Sequence, residues 1–212
     1  MADLEFFFDV VSPWAWITSR WVTEVQTQRR MSVEWRFISL STINGHRTDE
    51  AYTPSYRAVH MAGRHMHRVS AEVRQQFGNE AVGELYTQVG DAVHRHGRRA
   101  ELIDDPEGFM TAMLAGAGMP LDLAAAVHST AHDALIDAET ALAFERTGPD
   151  VGTPIITFHP GQADEASFFG PVIAEIPRGE AALKLWDSIE AVATTSGMAE
   201  LKRSKRGRPN FD

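Results

Sequence analysis

The chain has 212 residues, 43% of them hydrophobic and 23% charged, with a formal net charge of −9. This composition is typical of a folded domain and argues against disordered, collagen-like and coiled-coil proteins. The apolar runs fall far short of the roughly 20 residues that a membrane-spanning helix needs. The first residues lack the basic and apolar parts of a secretory signal. We therefore expect a cytoplasmic protein with no membrane partner.

The sequence contains no cysteine. This excludes disulfides, cysteine nucleophiles and thiolate metal ligands supplied by the chain itself. Any sulfur chemistry must therefore use the sulfur of a ligand.

The first predicted elements form a β-α-β unit. Residues 4–10 are typical of a buried strand, and Ser12-Pro13 predicts a helix start because serine caps helices and proline suits their first turn. Apolar residues at helical spacing follow, and residues 33–40 predict a second strand. Two strands joined by a helix favour a parallel pair.

Residues 50–147 are predicted to be helical throughout. A helical apolar stripe begins at Val82, Asp105-Pro106 is a second cap followed by proline, and a last helix is expected from Ser129 to Arg146. Strand character then returns at residues 154–158 and 168–176, which favour an antiparallel hairpin. A final helix is expected over 178–194.

The order βαβ, helical block, ββα predicts an α/β fold whose sheet is split by a large all-helical insertion. The expected boundaries are residues 1–49 and 148–212 for the split sheet domain and 50–147 for the insertion. Residues 202–208 hold five basic and no acidic residues, whereas the rest of the chain is acidic. An acidic body is a poor nucleic-acid binder, so no nucleic-acid partner is expected and the basic stretch is interpreted as a solvated arm.

Three segments in this order resemble the thioredoxin fold of the DsbA family. They are Phe6-Phe7-Phe8-Asp9 leading into Ser12-Pro13-Trp14-Ala15, then Val151-Gly152-Thr153-Pro154, then Phe168-Phe169-Gly170-Pro171. Within that family the chain is most similar to cytoplasmic mycothiol-dependent reductases, which carry Cys-Pro-Trp-Cys at the first segment. It is also similar to kappa-class glutathione transferases and hydroxychromene-carboxylate isomerases, which carry serine at the first position.

Ser12 and Ala15 occupy the two cysteine positions of the reductases, so intrinsic disulfide exchange is excluded. A helix start concentrates unpaired N–H groups and positive potential. Ser12 is therefore either only a cap, or the residue that holds the thiolate of a bound low-molecular-weight thiol. Lowering a thiol pKa from roughly 8.5 to 7 needs about 2 kcal/mol, which one charge-assisted hydrogen bond supplies.

The resemblance implies a cis peptide at Thr153-Pro154 facing Ser12, with the Thr153 backbone offered to an extended ligand. The alternative is an ordinary proline at the start of a strand. Trp14 is either a lid over the ligand or, like Trp16, a core residue. Asp9 either orients groups near the helix start or is a solvated carboxylate at the end of a strand.

Pro13 and Ala15 are expected to line the thiol site, and His132 and Arg57, outside these segments, to reach it from the insertion. Arg64 and Arg68 are candidates for the same carboxylate or sugar contacts, or are surface charges. His60, His65 and His67 are spaced by five and two residues, which does not favour a metal site, and no metal is expected.

The leading hypothesis is an enzyme that activates mycothiol or glutathione through Ser12 for transferase, isomerase or thiol-dependent reduction chemistry on an electrophilic substrate. The residues after the last strand depart from the pattern of the kappa-class glutathione transferases, which favours a thiol other than glutathione. The alternative is a DsbA-like binding protein or partner subunit without catalysis. Relatives suggest a homodimer.

Overall fold

The computed structural model describes residues 2–212. Within them, four strands form one sheet in the order β2-β1-β3-β4: β1 Leu4–Phe8, β2 Val33–Phe37, β3 Ile155–Phe158 and β4 Ala166–Phe169. β1 and β2 are parallel, whereas β3 runs antiparallel to both of its neighbours. The predicted parallel pair and the predicted hairpin are confirmed.

The sheet is accompanied by helices α1 Pro13–Arg29, α2 Leu40–Asn44, α3 Pro54–Phe77, α4 Asn79–Gly90, α5 Arg99–Asp104, α6 Pro106–Gly116, α7 Asp133–Thr147 and α8 Gly179–Ala193. A π-helical turn, Asp91–Arg95, continues α4, and a 3-10 helix, Leu121–His128, precedes α7. None of the helices within residues 2–212 combines the length and apolar character that crossing a bilayer requires.

Several predicted boundaries are wrong: β1 ends at Phe8 rather than at residue 10, and β4 begins at Ala166 rather than at residue 168. Three others have a local reason. β2 ends at Phe37 because Ser39 caps α2, accepting the N–H of Thr42 at 3.4 Å. α7 begins four residues after Ser129, whose extended backbone ends the preceding 3-10 helix. The last strand ends at Phe169, since the next residue, Gly170, has φ 100°, a conformation outside regular strands.

The helical insertion packs directly on the sheet. Tyr86 of α4 stacks on Phe8 of β1 with ring centroids 4.0 Å apart. Glu139 of α7 is buried, and its carboxylate accepts the Phe37 N–H at 2.8 Å. Both halves therefore share a continuous core, and the α/β class with helices between β2 and β3 is confirmed. The domain boundaries at residues 49 and 147 stay predictions.

The basic stretch, residues 202–208, is exposed as expected. The interpretation as a free arm is nevertheless wrong for the segment around it, because the chain end folds back onto the body. Asn210 donates its backbone N–H to the Ala174 carbonyl at 2.8 Å, and the ring of Phe211 is half-buried.

Candidate functional site

The start of α1 lies at the end of β1, and Ser12 caps it. The Ser12 hydroxyl oxygen accepts the Ala15 N–H at 3.2 Å, and the Ser12 carbonyl accepts the Trp16 N–H at 3.1 Å. The residue is only 5% exposed. The predicted cap is confirmed, and the hydroxyl sits in a largely dry environment where a hydrogen bond to a charged group is stronger than in water.

Few donors remain unpaired at this helix start. Pro13 has no N–H, and those of Ala15 and Trp16 are bound by Ser12. Among residues 2–212, neither the Trp14 N–H nor the Ser12 O–H has an acceptor. The first turn also lacks an acidic residue. The positive end of the helix therefore offers two free donors, which suits an anion.

Thr153 and Pro154 lie at the same edge of the sheet. Their peptide bond is cis. The Thr153 hydroxyl donates to the carbonyl of Phe7 at 3.1 Å, which fixes this residue beside the end of β1. The Gly170-Pro171 bond is cis as well, and the Pro171 carbonyl accepts the Thr18 hydroxyl of α1 at 2.8 Å. The Gly170-Pro171 turn thus contacts the second turn of α1, and the Thr153-Pro154 turn lies beside the end of β1. That Pro154 faces Ser12 stays a prediction.

Asp9, three residues before Ser12, is buried, so its interpretation as a solvated carboxylate is wrong. Its oxygens accept the N–H of Val11 at 3.1 Å and of Leu40 at 2.8 Å, and join the loops that follow β1 and β2. Burial raises the Asp9 pKa to about 7, although these two hydrogen bonds act against the rise. The carboxyl is therefore partly neutral near pH 7.

His67 of α3 is the titratable neighbour of Asp9. Its Nε2 lies 3.9 Å from an Asp9 oxygen, and neither ring nitrogen has a hydrogen-bond partner among residues 2–212. Burial lowers the His67 pKa to about 3, so the ring is neutral at physiological pH. The two side chains are not an ion pair, because desolvation outweighs their mutual attraction. Gly63 brings α3 this close, since a Cβ there would lie 2.4 Å from Asp9 Oδ1.

The two tryptophans of the first turn have different surroundings. Trp16 is 1% exposed and packs under the Arg20 guanidinium, whose carbon lies 4.2 Å from the ring centroid. Trp14 is half-buried, with the guanidinium carbon of Arg206 6.0 Å from its ring. Trp16 is a core residue, whereas Trp14 is half-buried, and its role as a lid stays a prediction.

His94, on the π-helical turn, was not predicted from the sequence. It is 7% exposed, and its Nε2 donates to the Val10 carbonyl at 2.7 Å, so it holds the loop that leads to Ser12. Burial lowers its pKa to about 4. The ring also stacks on Trp16 at 5.9 Å. The sequence gives little sign of this role, because it depends on a π turn that shifts the register of the helical stripe.

The candidates from the insertion have partners of their own. His132 Nε2 lies 2.7 Å from Glu72, and Arg57 is exposed with its guanidinium carbon 4.8 Å from the Tyr52 ring centroid. Arg64 and Arg68 pair with the acidic residues at the start of α7. The structure does not bring Arg57 or His132 into contact with Ser12, and their roles in ligand binding stay predictions. Residues 2–212 contain no group of three or more His, Cys, Asp or Glu placed to hold a metal ion.

Comparison with known proteins adds a family to this geometry. Residues 11–203 match the sequence model of the Rv2466c-like family, described as mycothiol-dependent nitroreductase Rv2466c. The chain is also 29% identical over 211 residues to the uncharacterized protein Rv2286c of Mycobacterium tuberculosis (strain ATCC 25618 / H37Rv). That match covers 97% of this chain and 83% of the relative.

Solved structures with the same fold include the cytosolic disulfide reductase DsbM from Pseudomonas aeruginosa. It superposes with a TM-score of 0.58 at 11% identity, over 89% of this chain and 98% of that one. A structure of DsbM with GSH superposes with a TM-score of 0.51 at 13% sequence identity, over 74% of this chain and 86% of that one. A 2-hydroxychromene-2-carboxylate isomerase superposes with a TM-score of 0.56 at 17% sequence identity, over 89% of this chain and 94% of that one. At these identities the likeness shows the fold, and the predicted DsbA-like thioredoxin fold is confirmed.

Proposed function

The chain belongs to the Rv2466c-like family, and on that premise we propose that it binds a low-molecular-weight thiol at the start of α1 and holds it as a thiolate through Ser12. The observation that carries the proposal is the pair of free donors, the Ser12 hydroxyl and the Trp14 N–H, at a helix start with no acidic residue in its first turn. The thiol would come from the ligand, because the chain has no cysteine.

The thiol class follows from the family and from one neighbour. The family is described as mycothiol-dependent, and DsbM has been solved with GSH. We therefore propose mycothiol first and glutathione second. Pro13, Ala15, Thr153 and Pro154 would line the site, with the Thr153 backbone facing the amide part of the thiol. Cytoplasmic location and a homodimer stay predictions.

The proposed chemistry is attack by the bound thiolate. In a transfer, its sulfur would bond to an electrophilic centre of the second substrate while a leaving group departs with the electron pair of the broken bond. In an isomerisation, the sulfur would add to the substrate and leave again as thiolate. In a reduction, the bound thiol and a second thiol molecule would be oxidised to their disulfide as the substrate takes up two electrons. Lowering the bound thiol's pKa from roughly 8.5 to 7 needs about 2 kcal/mol. A single charge-assisted hydrogen bond supplies about 1.5–3 kcal/mol, so two donors are sufficient.

A second candidate function is ligand binding without catalysis. The 5% exposure of Ser12 favours it, because a reacting electrophile needs an open path to the thiolate. The two candidates share the thiol site and differ in whether the bound thiol is ionised.

The test is a titration with mycothiol and with glutathione, followed by ultraviolet thiolate absorbance. Because the chain has no cysteine, every thiolate signal comes from the ligand. We expect one thiol to bind with its pKa lowered by about 1.5 units, and Ser12→Ala to abolish most of that shift.

Thr53→Ala is the matched control. Thr53 caps α3 ahead of a proline and accepts the Tyr56 N–H at 3.2 Å, the same cap as at Ser12. It should leave the thiolate signal unchanged. If neither thiol binds, the proposal is overturned. If a thiol binds without ionising, the result supports the non-catalytic function. If Ser12→Ala leaves the thiolate signal unaltered, Ser12 acts only as a helix cap.

A further inference from the structure

The chain end, residues 206–211, crosses the surface beside the α1 start; we call it the C-terminal strap. Its first residue, Arg206, lies over Trp14. Gly207 passes close to Ala174, whose Cβ would lie 3.1 Å from a Cβ built on the glycine. Asn210 then donates its backbone N–H to the Ala174 carbonyl at 2.8 Å. The strap is thus fixed to the segment that follows β4.

The end of the strap reaches the π-helical turn that follows α4. The Phe211 ring lies 5.5 Å from that of His94, which in turn binds the Val10 carbonyl. The strap therefore contacts Trp14, two residues after Ser12, and the histidine that holds the loop two residues before it. A segment fixed at both places runs beside the first turn of α1.

The exposure of the loop agrees with this path. Val10, Val11 and Ser12 are 0%, 3% and 5% exposed, although they belong to a loop and a helix start at the edge of the sheet. Loops at such edges normally face water. Val10 and Val11 pack into the main core, and the strap contacts residues on both sides of this loop, Trp14 and His94.

We propose that the C-terminal strap is an intramolecular cover that closes the approach to Ser12 and must open before a ligand reaches it. Its contacts suit a removable cover. They include one backbone hydrogen bond, one cation–π contact at a half-buried ring and one half-buried phenylalanine at the edge of the core, and a segment held by few contacts opens without global unfolding. The proposal is independent of which thiol, if any, the site takes.

The absence of cysteine makes a direct test possible. In the full chain carrying Ser12→Cys, the only thiol stands under the strap, and its rate of reaction with a disulfide reagent reports access. Adding Arg206→Ala and Phe211→Ala should raise that rate constant about tenfold or more, because the strap then spends more time open. Asn210→Pro, which removes the N–H donated to Ala174, should act in the same direction.

Two controls make the result specific. Leu201→Ala with Arg203→Ala removes the same kinds of side chain from an exposed part of the chain end, and should leave the rate constant unchanged. A Ser188→Cys chain, modified on the exposed face of α8, should react quickly with or without the strap changes. Circular dichroism of each variant confirms that it is folded.

The proposal is overturned if the strap variants change the Ser12→Cys rate constant by less than about twofold. It is also overturned if the rate constant per thiolate, calculated from the measured pKa of each thiol, is as large at position 12 in the full chain as at position 188. Neither outcome bears on thiol binding, which is measured on the parent chain, so the two proposals fail separately.

Discussion

Two helices of this protein begin with the same local pattern and end up in opposite surroundings. α1 starts at Ser12-Pro13 and α3 at Thr53-Pro54, and in each a hydroxyl accepts a backbone N–H at 3.2 Å. Each cap is preceded by an aspartate, Asp9 or Asp49.

The two helix starts differ in how deeply they are buried. Asp9 is buried and its pKa is raised to about 7, whereas Asp49 is exposed and its pKa is lowered by the hydrogen bond from Arg47. Tyr56, in the first turn of α3, is 58% exposed, whereas Ser12 is 5% exposed. The cap pattern predicts where a helix begins. The elements packed around that helix start decide whether its positive end lies in a dry site or in water.

The packing around α1 is tested most strongly at Gly90. A Cβ there would lie 2.2 Å from two ring carbons of Trp16, and neither the ring nor the helix backbone can yield easily. Gly90→Ala should lower the free energy of unfolding by about 3 kcal/mol in denaturant titrations. Gly116→Ala is the control, because its nearest neighbour is the flexible end of Gln88 at 3.1 Å. Equal effects from the two changes would contradict the tight packing of α4 on α1.

The buried carboxyl gives a pH-dependent test. Because the pKa of Asp9 is raised to about 7 in the folded chain from 3.8, the unfolded chain loses this proton first as the pH rises. This group should therefore lower the free energy of unfolding by about 2 kcal/mol between about pH 5 and 7.5. Asp9→Asn removes that slope relative to the parent chain.

Asp49→Asn is the exposed counterpart and should keep the parent slope over the same range. The measurement is denaturant unfolding of the three chains at several pH values. Buried histidines such as His67 contribute slopes of the opposite sign, so the informative quantity is the difference between variant and parent. A parent slope that survives in Asp9→Asn contradicts the raised pKa.

Removing the two cap hydroxyls should give the smallest change in the free energy of unfolding. Ser12→Ala leaves the Ala15 N–H without a partner in a buried place and should cost about 1–2 kcal/mol of unfolding free energy. Thr53→Ala leaves an N–H that water can reach and should cost about 0.5 kcal/mol. Thermal or denaturant unfolding separates the two values. Equal costs would mean that water reaches Ser12 as freely as Thr53.

Much of the fold and part of the site could be predicted from the sequence. The Ser12 cap, the strand pairing and the helical insertion follow from patterns within a few residues or from element order. The roles of Asp9 and His94 could not be predicted, because each depends on a partner far along the chain: Leu40 for Asp9 and Val10 for His94.

The sequence by itself determined which segments are strands and helices, that α1 begins at a serine followed by proline, and that the chain supplies no thiol of its own. Only the tertiary structure decided that this helix start is dry, that Asp9 carries a raised pKa, and that the chain end lies beside Trp14. The physical reason is that capping and periodicity act between neighbours in the chain, whereas desolvation depends on every element that packs against a group.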